Sequence, residues 1–230
     1  MRRFFSEKTE PEAFYGGLAD DAVASLDVPL AGARVLDLGS GPGYYARALT
    51  AAGADVIPID LDDLGSEDER AAGALLADGG RLPFPAASFD GVFCSNMLEH
   101  TPRPEAVLVE IERVVRPGGW GWVSWTNWYS PWGGHAITPL HYLGPRAGLA
   151  VWRRLFGEPK GRNLPFGSLW PVHIGRMLDS VRRRPHLRLT DAFPRYYPGQ
   201  RWILRVPVLR EVATWNCVLV VERTGRPHGG

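Results

Sequence analysis

The run Val35-Leu36-Asp37-Leu38, followed at once by Gly39-Ser40-Gly41-Pro42-Gly43, most constrains what this chain can fold into. An apolar stretch ends beside an acid, a glycine-rich turn follows, and Tyr44 to Ala52 then carries helical spacing. A buried strand that turns directly into a helix is half of a β-α-β unit. Glycine adopts backbone angles closed to other residues and lets a ligand come closer than a Cβ permits. The turn therefore suits an adenosine-containing ligand held at the end of a strand.

Further elements follow in alternation. Tyr15, Leu18, Ala22 and Leu26 share one helical face, which predicts a helix over 12–26 that Pro29 ends. Strands are expected at 34–37, 54–60, 74–78, 89–95 and 120–125, and helices at 44–52 and 104–115. Pro58 is awkward inside a strand because it lacks a ladder donor. Residues 61–70 read as an acidic connection with room for a short helix. Pro117-Gly118-Gly119 is expected to stop the helix before strand five. Strands alternating with helices imply a parallel sheet with right-handed crossovers.

The pattern changes after Asn127, where Trp, Pro, Gly and His become frequent. Helices are expected at 147–156 and 169–184, and strands at 187–192 and 214–222, the last without a helix of its own. The stretch is too long for a plain connection and reads as a cap or lid. One domain is expected over 1–230, with its core at about 30–127 plus 186–222, a cap at about 128–185 and a frayed tail from Gly225.

Charge follows the same division. Residues 1–110 hold 8 Lys/Arg against 19 Asp/Glu, whereas residues 141–210 hold 14 against 3. Seven of the nine tryptophans lie between Trp120 and Trp170, so the later, basic part meets a different ligand from the acidic first part. Cys94 and Cys217 fall inside expected core strands, which argues against a disulfide framework and for a reducing compartment. No apolar run reaches membrane-spanning length. Arg2-Arg3 hints at an export signal, but Ser6-Glu7-Lys8-Thr9-Glu10 stands where its apolar segment would be, so the expected setting is cytoplasmic.

Asp37 to Gly43, Ile59-Asp60, Asp78-Gly79-Gly80-Arg81-Leu82-Pro83-Phe84, Ser88-Phe89-Asp90 and Arg116-Pro117-Gly118-Gly119 occur in that order. Together they resemble the motifs of the class I S-adenosylmethionine (SAM)-dependent methyltransferases, in particular the small-molecule and quinone-type branch. The resemblance covers about residues 10–127 and the last strand, and extends to actinobacterial methyltransferases. It implies a Rossmann-like α/β fold, a seven-stranded, mostly parallel sheet with the last strand antiparallel and the aromatic, basic cap inserted after strand five. It also implies SAM as cofactor and S-adenosylhomocysteine as product. In that frame Asp60 accepts the ribose hydroxyls, Asp78 the adenine amino group, and Gly79 offers its N–H to the ring. Asp37 faces the amino acid portion, and Gly39, Ser40 and Gly41 pack beneath it. Leu61, Ser95 and Asn96 complete the cofactor site, and Tyr15 closes over it.

Gly41 to Ala46 also fits a dinucleotide fingerprint with Asp60 at the ribose position, but this leaves Asp37 and the later motifs without a role. Ser95-Asn96-Met97-Leu98-Glu99-His100 resembles a run in quinone-pathway O-methyltransferases. It makes His100 a candidate general base for an acceptor hydroxyl, set against a tethering role for Glu99 and His100. Asn96 in place of an acid argues against a metal there, and no metal site is expected. Trp128, Tyr129, His135 and His141 are candidates for the acceptor wall, with a packed aromatic cluster as the alternative. The arginines, Arg195 among them, suit either solvent, an anionic acceptor or an anionic membrane surface. The expected activity is methyl transfer to a small or lipid-like acceptor, on oxygen before nitrogen or carbon. A non-catalytic SAM-binding protein and an RNA methyltransferase are the competing readings, the latter without a base-modifying motif to support it.

Overall fold

The computed structural model describes residues 11–61, 73–161 and 163–225. The acidic connection past Leu61, the Arg2-Arg3 pair and the tail past Gly225 lie outside the described residues. Seven strands form one sheet: β1 Arg34–Leu38, β2 Asp55–Asp60, β3 Leu75–Leu76, β4 Phe89–Ser95, β5 Val115–Thr126, β6 Leu187–Pro194 and β7 Asn216–Arg223. Their order is β3-β2-β1-β4-β5-β7-β6. The first five pair in parallel, and β7 runs antiparallel to both β5 and β6. This is the Rossmann-like sheet expected.

The helices are α1 Pro11–Ala24, α2 Tyr44–Ala51, α3 Pro104–Val114, α4 Pro145–Phe156, α5 Ile174–Arg182 and α6 Pro207–Ala213. Val107, Leu108 and Ile111 of α3 and Met177 and Val181 of α5 pack with Leu36, Val92 and Val123 in one buried cluster. Ala22 and Val23 of α1 and Leu49 of α2 share a second with Val35, Phe93, Trp122 and Val218. Burial of each large aliphatic side chain contributes roughly 1.5–3 kcal/mol. The chain winds outward from β1 to β3 and then crosses to β4, so strand order reverses between β1 and β4. A crevice opens at the carboxyl ends of the strands at such a point.

The structure resolves the difficulty at Pro58. The Ala77 N–H donates to the Asp60 carbonyl, so alternate residues of β2, Pro58 included, face β3. Strand β3 begins opposite Ile59, past the proline, and no ladder bond is lost. Pro117-Gly118-Gly119 does not stop the helix, which ends at Val114. Val115 already pairs with Phe89 and Trp120 with Gly91, leaving Arg116–Gly119 as an excursion inside β5. Asp90 pins that excursion. It accepts the Arg34 N–H at 2.6 Å and an Arg116 Nε hydrogen bond, and both hold its carboxyl below the usual range.

Helix α5 starts at Ile174 rather than Leu169, because Glu211 caps it from a distance. Its carboxylate accepts the Ile174 and Gly175 N–H groups at 3.0 and 2.8 Å. The last strand does have a helix before it, the short α6, which buries none of its residues. Between β5 and α5, Trp128, Ile137, Leu149 and Leu169 form a separate cluster. The Trp128 N–H donates to the Val172 carbonyl at 3.2 Å, joining the two ends of this segment.

Candidate functional site

The glycine turn is fixed by the end of β2. Gly39 and Ser40 both donate their N–H to the Ile59 carbonyl at 2.9 Å, and Gly41 donates to Asp60 Oδ2 at 2.7 Å. Gly39, Gly41 and Gly43 hold φ values of +78°, +48° and +80°, a region that L side chains avoid. Gly43 opens α2. Tyr15 of α1 stacks on Tyr44 at 5.7 Å, beside the turn.

Asp37 is 1% exposed, and among the described residues its Oδ2 has no hydrogen-bond partner. Burial pushes its carboxyl up to about 7, the Asp60 charge adds to this, and the Ala46 N–H pulls the other way. Ser40 Oγ is likewise buried without a partner. A buried carboxyl with one oxygen unpartnered and a buried hydroxyl beneath a Cβ-free turn fit a ligand that carries an ammonium group.

Asp60 is half-buried, and its Oδ1 accepts the Leu61 N–H at 2.8 Å. Each oxygen therefore has one backbone donor and a second lone pair, enough for two hydroxyls. Asp78 is exposed, its Oδ1 accepts the Gly80 N–H at 2.8 Å, and Gly79 beside it is buried. Met97 spans the floor between the two glycine surfaces. A Cβ on Gly39 would lie 2.7 Å from Met97 Cβ, and one on Gly79 would press on the Met97 methyl. The carboxyl ends of β1, β2 and β3 thus form an acidic cradle.

Beyond β4 the rim becomes polar and then cationic. Ser95 Oγ lies 3.4 Å from Ser124 Oγ on β5. Asn96 takes φ +53°, a conformation Asn tolerates, and its Oδ1 accepts from Asn216 Nδ2 at 2.7 Å. Arg195, just past β6, donates from Nη1 to Ser95 Oγ at 3.0 Å and from Nη2 to the Tyr45 hydroxyl at 2.6 Å. Sequence reasoning left Tyr45, Ser124 and Asn216 unassigned. The available signal was a polar residue inside an apolar core strand, as at Ser124 between Trp122 and Trp125.

Glu99 and His100 occupy a single 3₁₀ turn after β4. Glu99 is buried. Its Oε1 accepts the Thr126 N–H at 2.9 Å and its backbone carbonyl the Trp170 N–H at 2.7 Å. Burial pushes the Glu99 carboxyl up, against the pull of His100 and the Thr126 N–H. His100 is exposed, and its Nδ1 lies 2.7 Å from the Ser168 carbonyl. A carbonyl only accepts, so Nδ1 carries the hydrogen and, in the neutral ring, Nε2 keeps its lone pair.

The four aromatic and histidine candidates are not equally placed. Trp128 and His141 are buried in the segment's interior, with Trp128 Nε1 donating to the His141 carbonyl at 3.3 Å. His141 Nε2 donates to the Ser130 carbonyl at 2.9 Å, and burial holds its ring below the usual histidine range. Tyr129 is half-buried against His173, ring centroids 5.4 Å apart. His135 Nδ1 lies 3.3 Å from Asn163 Nδ2. A groove of about 1190 Å³ runs under α1 along β5, β7 and β6, from Asp90 and Arg116 to Phe193 and Arg195. Its lining includes Arg195 but none of Asp37, Asp60 or Asp78.

Residues 36–123 match the family model described as a methyltransferase domain. The chain is 39% identical to an uncharacterized methyltransferase of Mycobacteroides abscessus, over 96% of this chain and 92% of the relative. It is 38% identical to one of Mycolicibacterium vanbaalenii, with the same coverage of both chains. The solved structure of an S-adenosylmethionine-dependent methyltransferase from Mesorhizobium loti shares its fold. The TM-score is 0.59 at 21% identity, over 91% of this chain and all of that one (100%).

Proposed function

We propose that this chain, which belongs to the class I SAM-dependent methyltransferases, methylates a small or lipid-like acceptor on oxygen. The observation that carries the cofactor half is the buried Asp37 carboxyl with an unpartnered oxygen beneath the glycine turn. Asp37 would hold the ammonium of SAM, Asp60 its ribose hydroxyls and Asp78 its adenine edge. The bound cofactor supplies a sulfonium-activated methyl group. The chain's part is to place an acceptor in line with it and to exclude water.

The oxygen assignment rests on His100. A hydroxyl acceptor has a proton to lose, and the Ser168 carbonyl fixes the tautomer in which Nε2 can take it. The 128–173 segment then serves as the cap on the acceptor side. Leu143, Leu155 and Phe156 are 59%, 62% and 65% exposed at the two ends of α4, beside Arg153 and Arg154. That pairing supports a peripheral contact with an anionic membrane, from which a lipid-like acceptor would enter. Anionic liposomes at low salt should retain the protein, and retention should fall when Leu155 and Phe156 are both changed to Ser. Equal recovery with neutral liposomes would dismiss the contact. The free, buried thiols of Cys94 and Cys217 support a cytoplasmic setting.

The test of the function is transfer from methyl-labelled SAM into a host cell extract, with the label then partitioned. Label in the organic or small-molecule phase that survives base, as a methyl ether does, is the expected result, and base-labile label would mark a methyl ester with no proton for His100 to take. Label confined to RNase-sensitive polymer would replace the acceptor class, and SAM binding without transfer to any fraction would favour a non-catalytic role.

A further inference from the structure

We propose that Arg195 grips an anionic group, a carboxylate or a phosphate, on the methyl acceptor. The inference rests on the methyltransferase reading and adds a substrate class to it.

The first argument is what the other arginines do. Arg153, Arg176, Arg182, Arg184, Arg188, Arg201 and Arg210 each form an ion pair with an Asp or Glu. Arg146, Arg154, Arg183 and Arg205 point into solvent. Arg195 does neither; among the described residues Arg223 is likewise half-buried without an ion pair, but its Nη1 donates to the Val115 carbonyl at the start of β5, away from the cradle. Arg195 is half-buried, and among the described residues no carboxylate comes within ion-pair distance. A partly buried guanidinium without a counter-ion is costly, and an arriving anion would relieve that cost.

The second argument is how the side chain is held. Nη1 donates to Ser95 Oγ at 3.0 Å and to Ser124 Oγ at 3.5 Å, and Nη2 to the Tyr45 hydroxyl at 2.6 Å. Its Cζ lies 5.6 Å from the Tyr45 ring centroid and 5.3 Å from that of Trp122. All of these partners are neutral, so they fix the guanidinium in place and leave its charge intact. The Nε hydrogen and one Nη2 hydrogen have no partner among the described residues. Two donors on one planar group match the two oxygens of a carboxylate or phosphate.

The third argument is position. Ser95 ends β4, the strand beside β1 where the cradle for the cofactor begins, and Ser124 lies opposite it on β5. Arg195 also lines the end of the groove under α1, whose walls include Trp122 and Phe193. The groove lining includes neither His100 nor the 128–173 segment, so an acceptor gripped by its anion at Arg195 would extend across the ends of β4 and β5 and not along the groove. The acidic cradle repels an anion from β1, β2 and β3 and directs it to the β6 side.

The test uses the full chain with S-adenosylhomocysteine bound and follows the Arg195 Nε–H resonance by NMR. The probes are hexanoate, hexyl phosphate and, as the uncharged control, hexanol. At least one anion should shift the resonance to saturation, and hexanol should not. Arg195→Met should weaken that anion at least tenfold, Arg195→Lys by less, and Arg205→Met not at all. Unchanged anion affinity in Arg195→Met would overturn the proposal, as would a resonance that neither anion moves. A tenfold loss of S-adenosylhomocysteine affinity in Arg195→Lys would overturn it too, by assigning the arginine to the cofactor's own carboxylate. In the labelled extract the wild-type product should bind an anion exchanger and Arg195→Lys should raise its KM. Product formed equally by Arg195→Met defeats this proposal alone, whereas no product from wild type defeats the reading beneath it.

Discussion

Replacing Asp37 with Asn should make the ligand-free protein more stable at alkaline pH while removing much of its affinity for SAM. Burial holds the Asp37 carboxyl at about 7 in the folded protein, against 3.8 for the ordinary side chain. Between those values the unfolded chain releases the proton and the folded chain retains it, so stability falls as pH rises through that window. At 1.36 kcal/mol for each pH unit, the full cost above pH 7 is about 4 kcal/mol. Asparagine keeps a carbonyl oxygen for the Ala46 N–H and carries no charge. Its unpartnered amide nitrogen costs about 1–2 kcal/mol. The variant should therefore match wild type near pH 5 and gain about 3 kcal/mol at pH 8.5, or roughly 6–12 °C in Tm for a chain of this size. Thermal melts at both pH values, with and without SAM, check this. SAM should raise the Tm of wild type and raise that of Asp37→Asn far less, because the ammonium loses its carboxylate. Equal Tm differences at pH 5 and pH 8.5 would refute the argument, since Asp37 would then titrate as an exposed acid does.

Two further outcomes follow from neighbouring contacts. His100→Ala should lower kcat about 100-fold at pH 7, with S-adenosylhomocysteine affinity unchanged and part of the rate restored at high pH; full turnover at neutral pH would remove the base. Glu211→Ala takes the acceptor from two N–H groups at the start of α5 and should cost about 1–3 kcal/mol by denaturant titration, with no change in cofactor affinity.

The cofactor half of the molecule was legible because its determinants are local. A strand, a glycine turn and a helix lie consecutively between Arg34 and Ala51, and the acids that flank them end strands whose apolar runs are plain in the sequence. Where determinants are distant, the sequence was silent. Glu211 starts α5 from 36 and 37 residues away, and nothing near Leu169 or Ile174 announces it. Arg195 reaches Ser95 across 100 residues and Tyr45 across 150, and in sequence it is one arginine among many. The Arg116–Gly119 turn carries ordinary helix-stopping residues, so only its pairing with β4 shows that it interrupts a strand instead.

The bond between Trp128 and Val172 has a consequence for how this protein can change. It brings the entry and exit of a long segment together beside a sheet that closes without it, and that segment has its own apolar centre. Such a piece is a cassette. Exchanging it for another, or cutting it back to a short linker, should leave the ladder and the acidic cradle undisturbed. Its contacts with the rest of the molecule include the Ser168 carbonyl, which sets the His100 ring, the Trp170 N–H, which donates to the Glu99 carbonyl, and Trp132, which packs on Trp215. On the proposed function, chimeras that exchange the cassette and supply those contacts would keep the methyl donor and take a different clientele.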